Sequence, residues 1–215
     1  MHESSALMDA SFWQQRWATQ QIGFHETQVH PMLLRHGASL GNATRVFVPL
    51  CGKSNDMTWL HDLGHGVVGI ELADVALRAF FDEHGLTAAH TSAPPFAQFS
   101  AADYRLLCGD FFALTRAHLG EFAAVYDRAA LIALPPAMRR DYAHKMSALC
   151  VSGTAMLLIT VGYDVNLITP PPFALAAEEI GALYGDDWTI EVHNTREADV
   201  KGQPGTEQAF VLHRR

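Results

Sequence analysis

Residues 45–60 constrain this chain more than any other stretch. Arg45-Val-Phe-Val-Pro49 is β-branched and apolar, which suits a short strand buried on both faces. Leu50-Cys51-Gly52-Lys53 breaks the run, and from Ser54 the residues suit a helix, with Ser54 or Asn55 as N-cap and Asp56 in the first turn. A buried strand, a glycine-bearing turn and a helix start open a doubly wound α/β unit. In such a unit a cofactor can approach the backbone and face the helix N-terminus. Gly66-Val-Val-Gly-Ile-Glu71 then supplies a second apolar strand that ends in a carboxylate nineteen positions after Gly52. An acid at that distance suits the two hydroxyls of a ribose.

The rest of the chain extends this pattern. Further strands are predicted at Tyr104–Gly109, Phe122–Tyr126 and Ala155–Val161. The intervening helices are Asp56–Leu63, Asp74–His84 and Pro136–Leu149, with Ala176–Tyr184 following the fifth strand. Ala88–Ala102, rich in Ser, Ala and Pro, reads as an irregular connection. Two successive strands close the chain, Trp188–Asn194 and Gln208–His213, and a short connection pairs such strands antiparallel. Ahead of all this, Leu7–Gln21 reads as a helix packed through Phe12, Trp13 and Trp17. A second helix runs from Thr27 to a stop at Gly37. The expected architecture is a Rossmann-like, mostly parallel seven-stranded sheet with a terminal antiparallel hairpin. Residues 1–40 form a helical cover over its cofactor edge, and 1–215 form one domain. That terminal strand pair separates an S-adenosylmethionine-dependent methyltransferase from a dinucleotide dehydrogenase on a similar sheet.

Composition narrows the partners. With a net charge of −8 and only 15 scattered Lys and Arg, neither nucleic acid nor an anionic membrane is an expected partner. Three cysteines, Cys51, Cys108 and Cys150, lie in or beside apolar runs and read as reduced thiols of a cytoplasmic protein. No apolar run reaches membrane-spanning length, and the start of the sequence lacks the layout of a signal peptide. The 12 histidines never join Cys or carboxylates at a compact ligand spacing, so no metal is expected.

Four strand ends carry polar or special residues: Leu50-Cys51-Gly52, Glu71, Asp110-Phe111 and Asp127-Arg128. Taken singly, each has a plain alternative. Asp110 reads as an N-cap, Glu71 as a cap or surface carboxylate, and Arg128 as half of an ion pair with Asp127 or another acid. Together they fall on one edge of one sheet. There Glu71 suits a ribose, Asp110 an adenine amino group, Phe111 a stacked base and Arg128 an anionic group.

Several segments together closely resemble the thiopurine S-methyltransferase family. They are Phe12-Trp13-Gln-Gln-Arg-Trp17, Gly23-Phe24-His25, Val46–Lys53, Asp56-Met57-x-Trp59-Leu60, Gly64–Glu71, Val125-Tyr126-Asp127-Arg128-x-Ala130-Leu131, and Gly162-Tyr163-Asp164 with Pro171-Pro172-Phe173. The Pro-Leu-Cys-Gly-Lys turn is its specific mark. The resemblance implies methyl transfer from S-adenosylmethionine, leaving S-adenosylhomocysteine, to the sulfur of aromatic or heterocyclic thiols. Selenium or tellurium oxyanions are a further acceptor class in a bacterial setting. It places Trp13, Phe24, Leu50, Gly52, Glu71, Asp110, Phe111 and Arg128 at the cofactor. Phe24 and Arg128 also fall at the acceptor, with Arg196 the nearest candidate for a second substrate-side arginine. A thione ionises without a strong base, so no general base is assigned, not to His25, Asp127 or Asp164, and direct transfer leaves Cys51 no nucleophilic role. The enzyme is expected to act as a monomer on a small molecule. The alternatives are a nicotinamide-dependent oxidoreductase, disfavoured by the missing Gly-x-Gly-x-x-Gly, and a non-catalytic cofactor-binding module.

Overall fold

The computed structural model describes residues 10–215. Leu7–Asp9 of the expected first helix, and the start of the expected cover, lie outside them. Two helices come first, α1 (Ala10–Ala18) and α2 (Pro31–His36). The second starts later than Thr27, because His30 is the residue that caps it, accepting the Met32 N–H at 3.2 Å ahead of Pro31. Then follow β1 (Arg45–Val48), α3 (Asp56–Asp62), β2 (Gly66–Glu71) and α4 (Asp74–Glu83). A hairpin of β3 (Ala89–Ala93) and β4 (Phe96–Ala101) leads to β5 (Tyr104–Cys108), α5 (Arg116–Leu119), β6 (Ala124–Arg128) and α6 (Pro136–Leu149). The chain ends with β7 (Ala155–Tyr163), α7 (Ala177–Tyr184), β8 (Trp188–Val200) and β9 (Gln203–Arg214).

All strands join one sheet in the order β3-β4-β5-β2-β1-β6-β7-β9-β8. The α/β class is as expected, but the sheet is nine-stranded and mixed, not seven-stranded and mostly parallel. Its centre, β5-β2-β1-β6-β7, is parallel; the β3–β4 pair on one side and β9–β8 on the other run antiparallel. The two additional strands arise from Ala88–Ala102. Pro94 and Pro95 fall between them, outside the ladder, where a missing N–H is harmless. Every residue of β3 is exposed and only Phe96 and Phe99 of β4 are buried, so no apolar alternation marked either strand.

The central strands are buried on both faces, as parallel strands must be. Val46 and Val48 pack with α2, α3 and α4 through Leu33, Met57, Leu60 and Phe80. Phe47 packs with α6 and α7 through Tyr142, Met146 and Ile180. The chain leaves β1 toward β2 and β5, then returns to β6 on the other side of β1. Between β1 and β6 the winding reverses, and ligands of such sheets lodge at the carboxyl edge there. α1 lies at that edge, with Trp17 buried against Ala73 and Ala76 at the start of α4.

Gly69 in β2 lets the turn after β1 seat closely. The Cys51 N–H donates to the Ile70 carbonyl at 2.9 Å, and a Cβ on Gly69 would stand 2.8 Å from Cys51 Sγ and 2.9 Å from Leu106 Cδ2. Gly69→Ala is expected to cost about 1–2 kcal/mol through overpacking. A drop in the urea midpoint at constant slope would show it; an unchanged midpoint would mean that the turn yields freely.

Candidate functional site

The turn after β1 holds Leu50 and Gly52 at positive φ, 45° and 54°. This region favours glycine, so Leu50 carries backbone strain at a strand tip. Gly52 also lies under Trp17, whose ring would stand 3.0 Å from an added Cβ. The Gly52 N–H donates to Glu71 Oε2 at 3.0 Å, and the Ala73 N–H donates to Oε1 at 2.9 Å. Glu71 is buried. Burial raises its carboxyl above the usual range, while its hydrogen bonds from the Ala73 and Gly52 N–H groups work against that rise. Two lone-pair directions remain for further donors, and the carboxylate lines a cavity.

That cavity has a volume of about 660 Å³. Its walls include the tips of β1, β2 and β6, the turn after β5, and the segment 23–26 that follows α1. Trp13, Phe24, Leu50, Gly52, Glu71, Asp110, Phe111 and Arg128 all line it. Asp110 caps the short turn that follows, accepting the Phe112 N–H at 2.9 Å through Oδ1, so its plain alternative is realised as well. Phe111 is stacked on Tyr142 with centroids 4.6 Å apart, which occupies one face of its ring.

Arg128 and Asp127 diverge as neighbours on a strand must. Asp127 is fully buried, accepting from the Tyr142 hydroxyl at 2.7 Å and the Leu131 N–H at 3.2 Å. Arg128 faces the cavity. Its partner is Glu26 at 3.3 Å, not Asp127, and it also donates to the Phe24 carbonyl at 3.4 Å. Asn55 Nδ2 donates to the carbonyls of Glu26 and Thr27, and Phe24 packs edge-on against Trp13 and Trp17. The N-terminal segment is thus held across the carboxyl edge.

Arg196 is not brought into the cavity. β8 and β9 run past the expected strand ends at Asn194 and Gln208 to a two-residue turn, Lys201-Gly202, with both φ positive, so most of 197–205 is ladder. Arg196 stands opposite Glu207 in that ladder and donates to Glu207 Oε2 from Nε at 2.8 Å. Glu207 is the residue of this pair that lines the cavity. Sequence reasoning missed it, along with Asp56 and Tyr126. Tyr126 donates to Asp56 Oδ2 at 2.9 Å, and the His30 N–H donates to Asp56 Oδ1 at 2.7 Å. His30 Nε2 reaches Glu207 Oε1 at 3.1 Å. The only sequence signal was the Asp in the first turn of α3, since the partners lie far apart in the chain.

Burial raises the Asp127 carboxyl to about 6, against hydrogen bonds from Tyr142 and Leu131 that favour its ionised form. Because the folded value lies above the unfolded one, this group's contribution to stability is full at low pH and is lost as pH rises through about 6. The stability of Asp127→Asn relative to the parent should therefore increase between pH 4 and pH 6.5, measured by urea unfolding. A difference that stays constant with pH would contradict the assignment. Burial, with Lys53 nearby, holds His25 below the ordinary imidazole range, and burial with Glu71 nearby keeps the Cys51 thiol protonated. Among the described residues no three His, Cys, Asp or Glu side chains gather as a metal site requires, and no helix is long and apolar enough to cross a membrane.

A sequence profile described as thiopurine S-methyltransferase matches residues 8–213. The chain belongs to the thiopurine S-methyltransferase family. As a member it is an enzyme that uses S-adenosylmethionine as methyl donor. Curated thiopurine S-methyltransferases of Pseudomonas fluorescens (strain SBW25) and Marinobacter nauticus are each 46% identical to it. The first aligns over 91% of this chain and 90% of the relative, the second over 85% and 84%. The fold is shared with the 1,6-didemethyltoxoflavin-N1-methyltransferase of Burkholderia thailandensis, a structure with bound S-adenosylhomocysteine. Its TM-score is 0.70 at 14% identity, over 99% of this chain and 89% of that one. An S-adenosylmethionine-dependent methyltransferase from Anabaena variabilis has a TM-score of 0.63 at 18% identity, over 96% and 95%. Membership of the family removes the nicotinamide and non-catalytic alternatives.

Proposed function

We propose that this enzyme methylates the sulfur of aromatic and heterocyclic thiols, with its cofactor lodged over the tips of β5, β2 and β1 and its acceptor over β6, β7 and β9. The observation that carries this reading is Glu71: a buried carboxylate pinned by two backbone N–H groups, with unused acceptor directions at a cavity wall. A ribose diol satisfies those directions. The strained Leu50–Gly52 turn lets the backbone approach the same sugar, while Asp110 and the edge of Phe111 suit the adenine. A cavity of about 660 Å³ falls within the ~300–1,000 Å³ of small-molecule sites and leaves room for an acceptor.

S-adenosylmethionine supplies a sulfonium methyl that is already activated for attack. What remains for the protein is alignment, exclusion of water and support of the sulfur anion. Trp13 and Phe24 close the cavity from the N-terminal side. Arg128 supplies a fixed guanidinium to the cofactor carboxylate or the entering acceptor, exchanging its contact with the exposed Glu26 for the ligand. No residue is assigned as general base. The whole chain acts as one catalytic unit with residues 1–40 as cover, monomeric and cytoplasmic, where its three free thiols stay reduced. With a net charge of −8, nucleic acid is not a partner. The largely apolar walls favour a planar ring over compact selenium or tellurium oxyanions, the second acceptor class of this reading. The test is methyl transfer from S-adenosylmethionine to thiopurines, thiophenols, selenite and tellurite, reading methylated product and S-adenosylhomocysteine together. Product with the thiopurines is expected; turnover with no thiol would overturn the assignment.

A further inference from the structure

The half of the cavity over β6, β7 and β9 offers an acceptor less free positive charge than its sequence promised. Arg128 is engaged by Glu26, and Lys201 Nζ donates to the carbonyls of Thr169 and Pro171 at 2.8 and 3.2 Å. Arg196 stands behind Glu207, outside the cavity. What faces the acceptor there is the Glu207 carboxylate. Its ionised state is fixed from two sides. Nδ1 of His30 accepts from the Met32 N–H, so Nε2 carries the hydrogen and donates to Oε1, while Arg196 donates to Oε2 from two nitrogens. Burial alone would raise the carboxyl; these hydrogen bonds hold it below the usual carboxylate range. Three of its roughly four acceptor directions are filled, which leaves one on Oε1.

Resting on the S-methyltransferase reading above, we infer that Glu207 is a specificity-determining residue. It accepts the ring N–H of a neutral heterocyclic thioamide, in which N–H adjoins C=S, and it disfavours thiols that carry a carboxylate. A ring N–H fills the open direction of a half-buried anion. A second carboxylate would face it across the cavity, while Arg128 is held by the cofactor carboxylate in the S-adenosylhomocysteine-saturated enzyme and is not free to come between them.

The test measures acceptor binding by calorimetry to the enzyme saturated with S-adenosylhomocysteine, and kcat/KM with S-adenosylmethionine in parallel. The acceptors are pyridine-2-thione, its 1-methyl derivative and 2-mercaptobenzoate. Pyridine-2-thione is expected to bind at least about tenfold more tightly than either of the others, and Glu207→Gln should compress both ratios to within about threefold. Ratios within one protein are insensitive to the fraction folded. A steric origin for the discrimination would survive in E207Q, and that result overturns the inference. Should E207Q not fold, thiophenol decides in the parent enzyme, since it lacks the N–H without adding a methyl group: equal affinity for it and pyridine-2-thione overturns the inference. Turnover with unchanged ratios sinks the role of Glu207 alone, whereas no binding or turnover with any acceptor sinks the S-methyltransferase reading with it.

Discussion

Glu71→Ala should weaken S-adenosylhomocysteine binding by about a hundredfold, close to 3 kcal/mol, while the protein still folds. Two hydrogen bonds from ribose hydroxyls to a buried carboxylate are each worth roughly 1.5–3 kcal/mol when the acceptor is charged. Alanine removes both and leaves the N–H groups of Gly52 and Ala73 without their present partner. Glu71→Gln separates the two effects. Its amide oxygen keeps one acceptor for the ribose or the turn but loses the charge, so it should fall between parent and alanine by calorimetry. Affinity unchanged in the alanine variant would return Glu71 to a capping carboxylate that only steadies the turn.

Arg128→Ala should lower kcat/KM for a thiopurine by about ten- to a hundredfold, because the charge-assisted hydrogen bonds that hold the cofactor carboxylate and the entering sulfur anion in line are worth roughly 1.5–3 kcal/mol each. Its thermal midpoint should move little. The folded state loses only the pair with Glu26, which is exposed, and a 3.4 Å bond to the Phe24 carbonyl. Arg128→Lys should recover part of the activity, because the charge remains while the planar fork is lost. Losses in stability that match those in activity would make Arg128 a strut for the N-terminal segment.

The parts of the fold that were legible are those buried on two faces. β1, β2, β6 and β7 are unbroken apolar runs because helices cover both sides, and each run ends where polar residues meet the carboxyl edge. The elements missed are one-sided or exposed. β3 buries nothing, and in β8 only Trp188 and Val200 are buried, so its length was hidden among alternating polar residues. The same hairpin misdirected the second arginine: Arg196 follows the sequence order of the family pattern, but its register pairs it with Glu207 and turns it from the cavity. Strand tips announce themselves by local contrast, which is why Leu50, Glu71 and Arg128 were readable. The polar cluster of His30, Asp56, Tyr126 and Glu207 was not, since His30 and Glu207 stand 177 positions apart and meet only when β9 enters beside β7.

A crystal structure of the complex with S-adenosylhomocysteine tests the placement of the cofactor most directly. Both ribose hydroxyls are predicted within hydrogen-bond distance of the Glu71 carboxylate, the adenine beside Asp110 and Phe111, and the amino-acid end toward Arg128. A ribose lodged away from Glu71, or an adenine over β6 and β7, would contradict it.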